Sequence, residues 1–398
     1  MNYRSIAAIA VSVAAVGAQA SLPTGLRFGE HLTIKPYLNV AYTYDSNLDT
    51  THHGESDSIF TVTPGANAEW KGDRWSISGN AWYRYKNYDK NSSEMDENSY
   101  GQGLTYKFDS SEPNQKGWSL TLGERYQNIS ASDSINSGDG RGIWRDRERV
   151  NATAAIERRF SSRFHMGVMG QYDWLDYKNG SGYAPLYGWS SWSTQVEGGY
   201  AISPWTDVIL AGGYSHYKQK GTSYSKNSSE SYTVMAGLGT RATRRIEYRA
   251  LAGASWLNYG GHSGSDSGWT YQLDGNWKVT SKFNVSVRGS SYYQPSERTA
   301  GSASKIYALS TGVSYLTMGD HLRLTSDVMF RHEENCYASS SRKAGDEDTV
   351  SFRVGGQYTI NRWVSVFTTL SWEKEWNERG SSYDYDRFRG TLGLQFHY

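Results

Sequence analysis

The chain has 398 residues, a formal charge of +1 and one cysteine, Cys336. That balance excludes the basic excess of a nucleic-acid binder, and a lone cysteine excludes an internal disulfide. The apolar share is 37%, against roughly 45–50% in soluble domains, while Tyr (31), Trp (15) and Gly (42) are abundant; this disfavours a thick buried core and suits a wall one residue deep with aromatic girdles.

At the N-terminus Arg4 precedes an apolar run from Ile6 to Val16, followed by Ala18, Gln19 and Ala20. A basic start, a short apolar stretch and an A-x-A end predict a secretory signal peptide over residues 1–20, cleaved before Ser21. Residues 21–31 then form a short periplasmic N-terminal segment, and 32–398 the barrel. No other segment approaches the eighteen apolar residues of a spanning helix.

From residue 32 onward the period is two. Leu32, Ile34, Leu38, Val40, Tyr42 and Tyr44 alternate with Thr33, Lys35, Tyr37, Asn39, Ala41 and Thr43. The same alternation recurs at Trp75–Lys86 and at Trp269–Val279. It marks strands with one apolar and one polar face. About eighteen such segments of roughly ten to fourteen residues follow, long enough to cross a bilayer when tilted. Their starts fall near 32, 58, 75, 98, 117, 148, 163, 191, 206, 230, 246, 268, 283, 305, 321, 348, 363 and 385.

The connections alternate as well. Short turns lie at 71–74, 161–163, 280–282 and 361–363. Longer polar loops lie at about 46–57, 89–97, 128–147, 178–190, 218–229, 259–267, 295–304, 333–347 and 376–384. Short periplasmic turns and long outer loops are the outer-membrane pattern, and an even strand count puts both termini in the periplasm. Phe160 and Phe164, Val279 and Phe283, and Ile360 and Val364 share the apolar set across their turns. That parity fixes register and places Asp274 opposite Arg288.

The last segment carries Phe388, Leu392, Leu394, Phe396 and Tyr398 at every second position or a multiple of it. It resembles the C-terminal strand signal read by the barrel-assembly machinery, although clients usually end in Phe. A secreted antiparallel sandwich is the soluble alternative; it leaves the alternating loop lengths unexplained.

The polar parity collects Lys35, Arg84, Lys86, Arg125, Glu157, Arg159, His165, Asp173, Glu197, Glu247, Arg249, Asp274, Arg288, Arg323, Asp327, Arg331, Arg353, Glu373, Arg387 and Arg389. A lipid-facing cation costs roughly 2–4 kcal/mol near the midplane, so these side chains are expected to face a wet interior. Arg288, Arg323, Arg331, Arg353, Arg387 and Arg389 would form a basic wall favouring anions. Alternatively they brace the wall through pairs such as Asp274–Arg288 and Asp327–Arg353. Inward Tyr37, Trp82, Tyr217 and Tyr292 offer either sugar-stacking faces or space filling.

Other chemistry is weaker. Asp133, Asn136 and Asp139 in the longest loop lack the oxygen spacing of an EF-hand, and that loop is expected to be solvated unless it folds inward. His52 and His53 are adjacent, a poor chelating geometry. The loop-side histidines (His52, His53, His216, His262 and His332) accompany no G-x-S-x-G and no HExxH. No catalytic set, metal or cofactor is therefore expected, and Cys336 reads as a loop residue without a role.

The segment Ile34, Pro36, Tyr37, Tyr42, Tyr44, Asp45, Ser46, Asn47 and Leu48 resembles the opening of a family of outer-membrane β-barrel porins. Members begin with a Pro-aromatic strand ending in Tyr-Asp-(Asp/Ser)-Asn-(Ile/Leu), and several are associated with exopolysaccharide export. The resemblance implies a porin-like barrel with no assigned functional residues to carry over.

The expected fold is all-β: a transmembrane antiparallel up-and-down barrel of about eighteen strands, with sixteen as the alternative. The expected function is an outer-membrane channel of a Gram-negative bacterium, for passive diffusion of small hydrophilic solutes or export of polysaccharide. A non-conducting structural or adhesive barrel is the alternative, and an outer-membrane enzyme the third reading. Expected partners are membrane lipid, lipopolysaccharide, the assembly machinery, and polysaccharide or small anionic solutes.

Overall fold

The computed structural model describes residues 25–48, 54–90, 97–110, 116–129, 146–177, 188–220, 228–240, 245–260, 265–295, 303–336, 345–378, 380 and 384–398. The expected signal segment and most of the loop 128–147 lie outside them. Among the described residues there is no helix. The strands are β1 (Leu26–Phe28), β2 (Leu32–Asp45), β3 (Asp57–Lys71), β4 (Trp75–Tyr88), β5 (Glu97–Asp109), β6 (Gly117–Ile129) and β7 (Arg147–Arg159). They continue as β8 (Phe164–Tyr177), β9 (Trp189–Ala201), β10 (Thr206–Gln219), β11 (Ser228–Thr240), β12 (Ile246–Gly260) and β13 (Ser265–Lys278). The last six are β14 (Phe283–Pro295), β15 (Ala303–Thr317), β16 (Leu322–Cys336), β17 (Glu347–Asn361), β18 (Val364–Asn377) and β19 (Tyr385–His397).

From β2 to β19 each strand pairs antiparallel with the next, and β19 pairs back onto β2, closing an eighteen-strand barrel. The period-two reading located these strands well; the largest difference in a start is 268 against the observed 265. β1 is additional. It lies in the segment expected to be a periplasmic tail and pairs Leu26 with Ile34 and Phe28 with Leu32. The pairing of β19 with β2 stops at His397 opposite Tyr37, so β1 takes the edge of β2 that β19 leaves open.

Turn chemistry explains the short connections. The Ser161 hydroxyl accepts from the Arg163 and Phe164 amides, Thr280 from Lys282 and Phe283, and the Asn361 side chain from Trp363 and Val364. These side chains hold donors that the ladder cannot pair. Two connections depart from the expected alternation: 110–116 is longer at the turn end, and 261–264 is short at the loop end.

The large apolar side chains left exposed on barrel strands all carry the outward parity. Trp70, Trp118, Phe164, Tyr200, Trp277 and Tyr358 form a belt near the turns; Tyr44, Tyr85, Tyr100, Trp192, Trp256 and Trp376 form one near the loops. At the turn end the Arg158 guanidinium lies 4.6 Å from the Trp118 ring and 4.8 Å from that of Phe160. Glu124, like Arg158, corrects the expectation that charge keeps to the inner parity. It is exposed on the outward face, in register with Leu104 and Ala152. It sits one outward position from Tyr126, at the edge of the loop-end belt, where a carboxylate costs less than at the midplane.

The seam between the first and last barrel strands is clamped. Arg387 Nε donates to both Asp45 oxygens, at 2.9 and 3.1 Å, and its terminal nitrogen to Oδ2 at 2.5 Å. Both residues are almost wholly buried. Ser46 and Asn47 continue the joint: the Ser46 amide reaches the Phe388 carbonyl at 2.9 Å, and the Asn47 side-chain amide reaches the Asp386 carbonyl at 3.0 Å. Leu48 packs beneath against Ile59 and Tyr88. Removing one partner of a buried, hydrogen-bonded pair costs about 3–5 kcal/mol. Asp45→Ala should therefore lower barrel stability by that amount in urea titrations followed by tryptophan fluorescence. The swap Asp45→Arg with Arg387→Asp should recover part of the loss, whereas a change within about 0.5 kcal/mol would exclude the clamp.

Candidate functional site

The register places every inward candidate on the lumenal face. Arg249, Asp274 and Arg288 are successive partners across β12–β14. Asp327, Arg353, Ser371, Arg389 and Asp45 form a continuous row across β16–β19 and β2. Arg84, Lys86, Arg125, Glu197, Arg323, Arg331 and Arg387 share the same parity. Asp274, Arg288 and Arg125 are exposed to the interior.

The expected bracing pairs are neighbours but not ion pairs: neither Asp274–Arg288 nor Asp327–Arg353 comes within bonding distance, although both are register partners. Arg249 instead crosses β11 and β10 to bind Glu197 on β9. The diagonal between them passes Gly239 and Gly237 of β11 and Ile209 and Ala211 of β10. Ala211, Met235, Ile209 and Leu251 form a buried apolar cluster on this part of the wall. Gly237 and Gly253 let β11 and β12 approach closely; a β-carbon at either would collide with the facing carbonyl of Ala250 or Val234. The lumenal face is therefore not polar all round.

The six-arginine wall is also reduced. Arg387 is neutralised by Asp45, and Arg331 binds Glu333 at 2.5 Å. Arg288, Arg323, Arg353 and Arg389 remain without an ion pair among the described residues. Elsewhere on the inner face Arg149 lies 3.6 Å from Asp173, and Arg159 4.0 Å from Glu157.

One side of the loop-end lumen is occupied by the barrel's own wall. β13 and β14 pair only from Gln272–Ser290 down to Lys278–Asn284. Above that point β12–β13, β14–β15 and β15–β16 stay paired, but β13 and β14 part. The tips of β14–β16 slide inside those of β12–β13. Outward-parity Lys305 thus meets the inward Ser255 hydroxyl, with its ammonium 4.0 Å from the Tyr293 ring. Tyr293 donates to Asp266 at 3.2 Å, and the Cys336 thiol contacts the same carboxylate at 3.1 Å. Inward Tyr217 of β10 donates to the Tyr293 carbonyl at 2.8 Å, which places the β14 tip well into the lumen. Leu257, Tyr259, Tyr293 and Ala303 seal the overlap. Lys305 is 1% exposed, so this joint buries an ammonium group.

Several expectations are corrected here. Cys336 ends β16 inside the lap rather than lying in a loop. Tyr217 supports the lap through its hydroxyl. Tyr37 and Trp82 lie across glycines of the next strand, Gly65 and Gly101. His332 pairs with Asp348 at 2.9 Å and His216 approaches Glu230 at 3.8 Å. His52, His53, His262, Asp133, Asn136 and Asp139 lie outside the described residues. Sequence reasoning missed the lap, whose signal was Lys305 opposite Glu334, two charges together on the outward parity.

Among solved structures, the chain is similar to the siderophore receptor PirA from Acinetobacter baumannii. Identity is 9%, with 91% of this chain and 80% of that one covered at a TM-score of 0.44. It is similar to a bacterial polysaccharide outer membrane secretin at 11% identity, 91% and 98% coverage and a TM-score of 0.36. It is also similar to OmpTdeltaL8, an outer membrane protein of Vibrio cholerae, at 11% identity, 93% and 100% coverage and a TM-score of 0.38. These likenesses go no further than the run of strands around a barrel. No curated protein matches the chain. A family model described as "Putative beta-barrel porin 2" matches residues 19–398, and the chain belongs to that family.

Proposed function

We propose that this protein is a non-enzymatic channel of the bacterial outer membrane that passes hydrophilic solutes and prefers anions. The observation that carries the reading is the inner face. Arg288, Arg323, Arg353 and Arg389 point inward without an ion pair among the described residues, and Arg125 is exposed there. Cations set in a low-dielectric wall and wetted on one side raise the local concentration of anions. The two outward aromatic belts would sit at the lipid and lipopolysaccharide interfaces. The strand ending in Phe396 and Tyr398 would be the segment read by the assembly machinery.

Polysaccharide export is the second reading. It is favoured by Tyr37 and Trp82, whose rings lie along the inner wall rather than filling the lumen. In this reading the lap of β14–β16 narrows the conduit from one side and leaves the opposite wall for the passing chain.

In planar bilayers under a potassium chloride gradient, the purified protein should conduct with a reversal potential on the chloride side. Arg353→Glu with Arg389→Glu should move it to the potassium side, and a cation-selective parent protein would contradict the proposal. The lap has its own test. Lys305→Glu sets a carboxylate beside Asp266, so the overlap should loosen. Native Cys336 should then react with a maleimide at least about tenfold faster, with a larger single-channel conductance. Unchanged labelling would show that the lap does not depend on Lys305.

A further inference from the structure

We propose that the inner wall of β2–β6 is a binding track for an anionic saccharide chain; this rests on the channel reading and names the class of solute that the channel handles. The register aligns Tyr37, Gly65, Trp82, Gly101 and Gln127 in one row across five strands. The two rings are not packed side by side. Each leans over the glycine of the following strand. A β-carbon at Gly101 would lie 2.8–3.0 Å from three indole atoms of Trp82, and one at Gly65 would collide with the tip of the Tyr37 ring. One face of each ring is thus laid on backbone. Both residues are only half-buried, so part of each ring is left to the lumen.

The spacing suits a sugar polymer. Tyr37 and Trp82 are two strands apart, about 9–10 Å, close to the length of two sugar rings in an extended chain. Alternate sugars could therefore lie on successive aromatic rings, over the bare backbone of the glycines. The row runs perpendicular to the strands. In a barrel whose strands tilt by about 35–45°, such a row climbs obliquely along the wall instead of circling it.

Polar groups border the row. One step toward the turns, Lys35, Asn67, Asn80, Gly103 and Arg125 are partners in sequence. Asn67 and Arg125 are exposed to the lumen. The side chains of Asn80, Arg125 and Gln127 make no hydrogen bond to another described residue. One step toward the loops, the Arg84 guanidinium lies 5.0 Å from the Trp82 ring. Hydroxyl-rich rings are recognised by this combination of flat aromatics with amide and guanidinium donors.

Charge narrows the class. Among the described side chains the inward acids of β2–β6 are Asp45, Asp57, Glu69 and Asp109; three of them end their strands, and Glu69, one inward position beyond Asn67, is paired with Lys71 at 3.0 Å. Along the track itself the charged groups are Lys35, Arg84 and Arg125, all cationic. A carboxylated saccharide fits this wall better than a neutral one. The lap, which leans on β10, β12 and β13, occupies the opposite side of the eighteen-strand ring, so the track faces the part of the lumen that the lap leaves clear.

The test uses hexagalacturonate as the anionic probe and maltohexaose as its uncharged counterpart, added to the intact protein in planar bilayers. Hexagalacturonate should block the current at lower concentration than maltohexaose. Trp82→Ala and Tyr37→Ala should each raise the half-blocking concentration about three- to tenfold, and the double variant should lose block further. Trp82→Phe, which keeps a flat ring, should recover most of the effect in a way that a merely structural role would not require. Folding of each variant is checked by its shift on unheated gels. Equal block of parent and double variant, or equal block by the two sugars, would overturn the proposal. If the folded parent carries no current, the channel reading fails; calorimetry of hexagalacturonate with the detergent-solubilised protein then decides the track separately. Binding weakened by Trp82→Ala would sustain it, and no binding at millimolar sugar would overturn it.

Discussion

A sheet that crosses a membrane has no water to satisfy its edges, so its first and last strands must find each other. In this chain that demand falls on β2 and β19, more than three hundred residues apart. Backbone pairing brings them together, and the loop end of the joint is secured by Asp45 against Arg387. The pair is buried and bidentate, the geometry in which an ion pair repays its desolvation. Ser46, Asn47 and Leu48 then tie the departing chain to β19 and to the lumenal packing beneath it. The short run from Tyr44 to Leu48 is therefore a closing device. Because closure sets strand number and register, it also sets which side chains share each lumenal row.

Two walls of different character follow from that register. On the side of β10–β13 the lumen is filled from within. Small and apolar residues flatten the wall, Glu197 and Arg249 span it, and the tips of β14–β16 lap inside. On the side of β2–β6 glycines keep the wall low, rings lie flat, and Asn80, Arg125 and Gln127 face inward without a hydrogen bond to another described residue. Arg323, Arg353 and Arg389, on β16–β19, stand between these regions. An interior so divided would offer a solute one clear face, whereas a uniformly lined tube would offer it every face alike.

Most of the fold was legible because one physical signal repeats. Alternation of apolar and polar residues persists through the strands, and a single-residue slip would turn every one of those side chains to the wrong medium. Turn parity likewise gave Asp274 opposite Arg288 in the observed register. Which charges touch was not legible. Contact depends on the reach of long side chains over their neighbours, and Arg249 reaches Glu197 diagonally across Gly237, Gly239 and Ala211. The lap was hidden for a related reason: alternation holds through most of β14 and β15 and breaks only at their tips, where Ser291 and Lys305 take the outward parity and Ile306 the inward one. Lys305 and Glu334 broke the pattern locally, as Glu124, Arg158 and Lys374 do elsewhere on the outward face. Asp45 was visible as part of a motif, but its partner lay at the far end of the chain.

The central claim is that one parity of each strand faces water inside the barrel while the other faces lipid. It is tested most directly by substituted-cysteine accessibility in a Cys336→Ser background, with the protein in bilayer vesicles, taken along β17 from Val350 to Gly355. Cysteines replacing Ser351, Arg353 and Gly355 should react readily with a charged, water-soluble thiol reagent, and those replacing Val350, Phe352 and Val354 should not. Reaction of both sets alike, or of the second set alone, would contradict a wet lumen enclosed by a closed barrel.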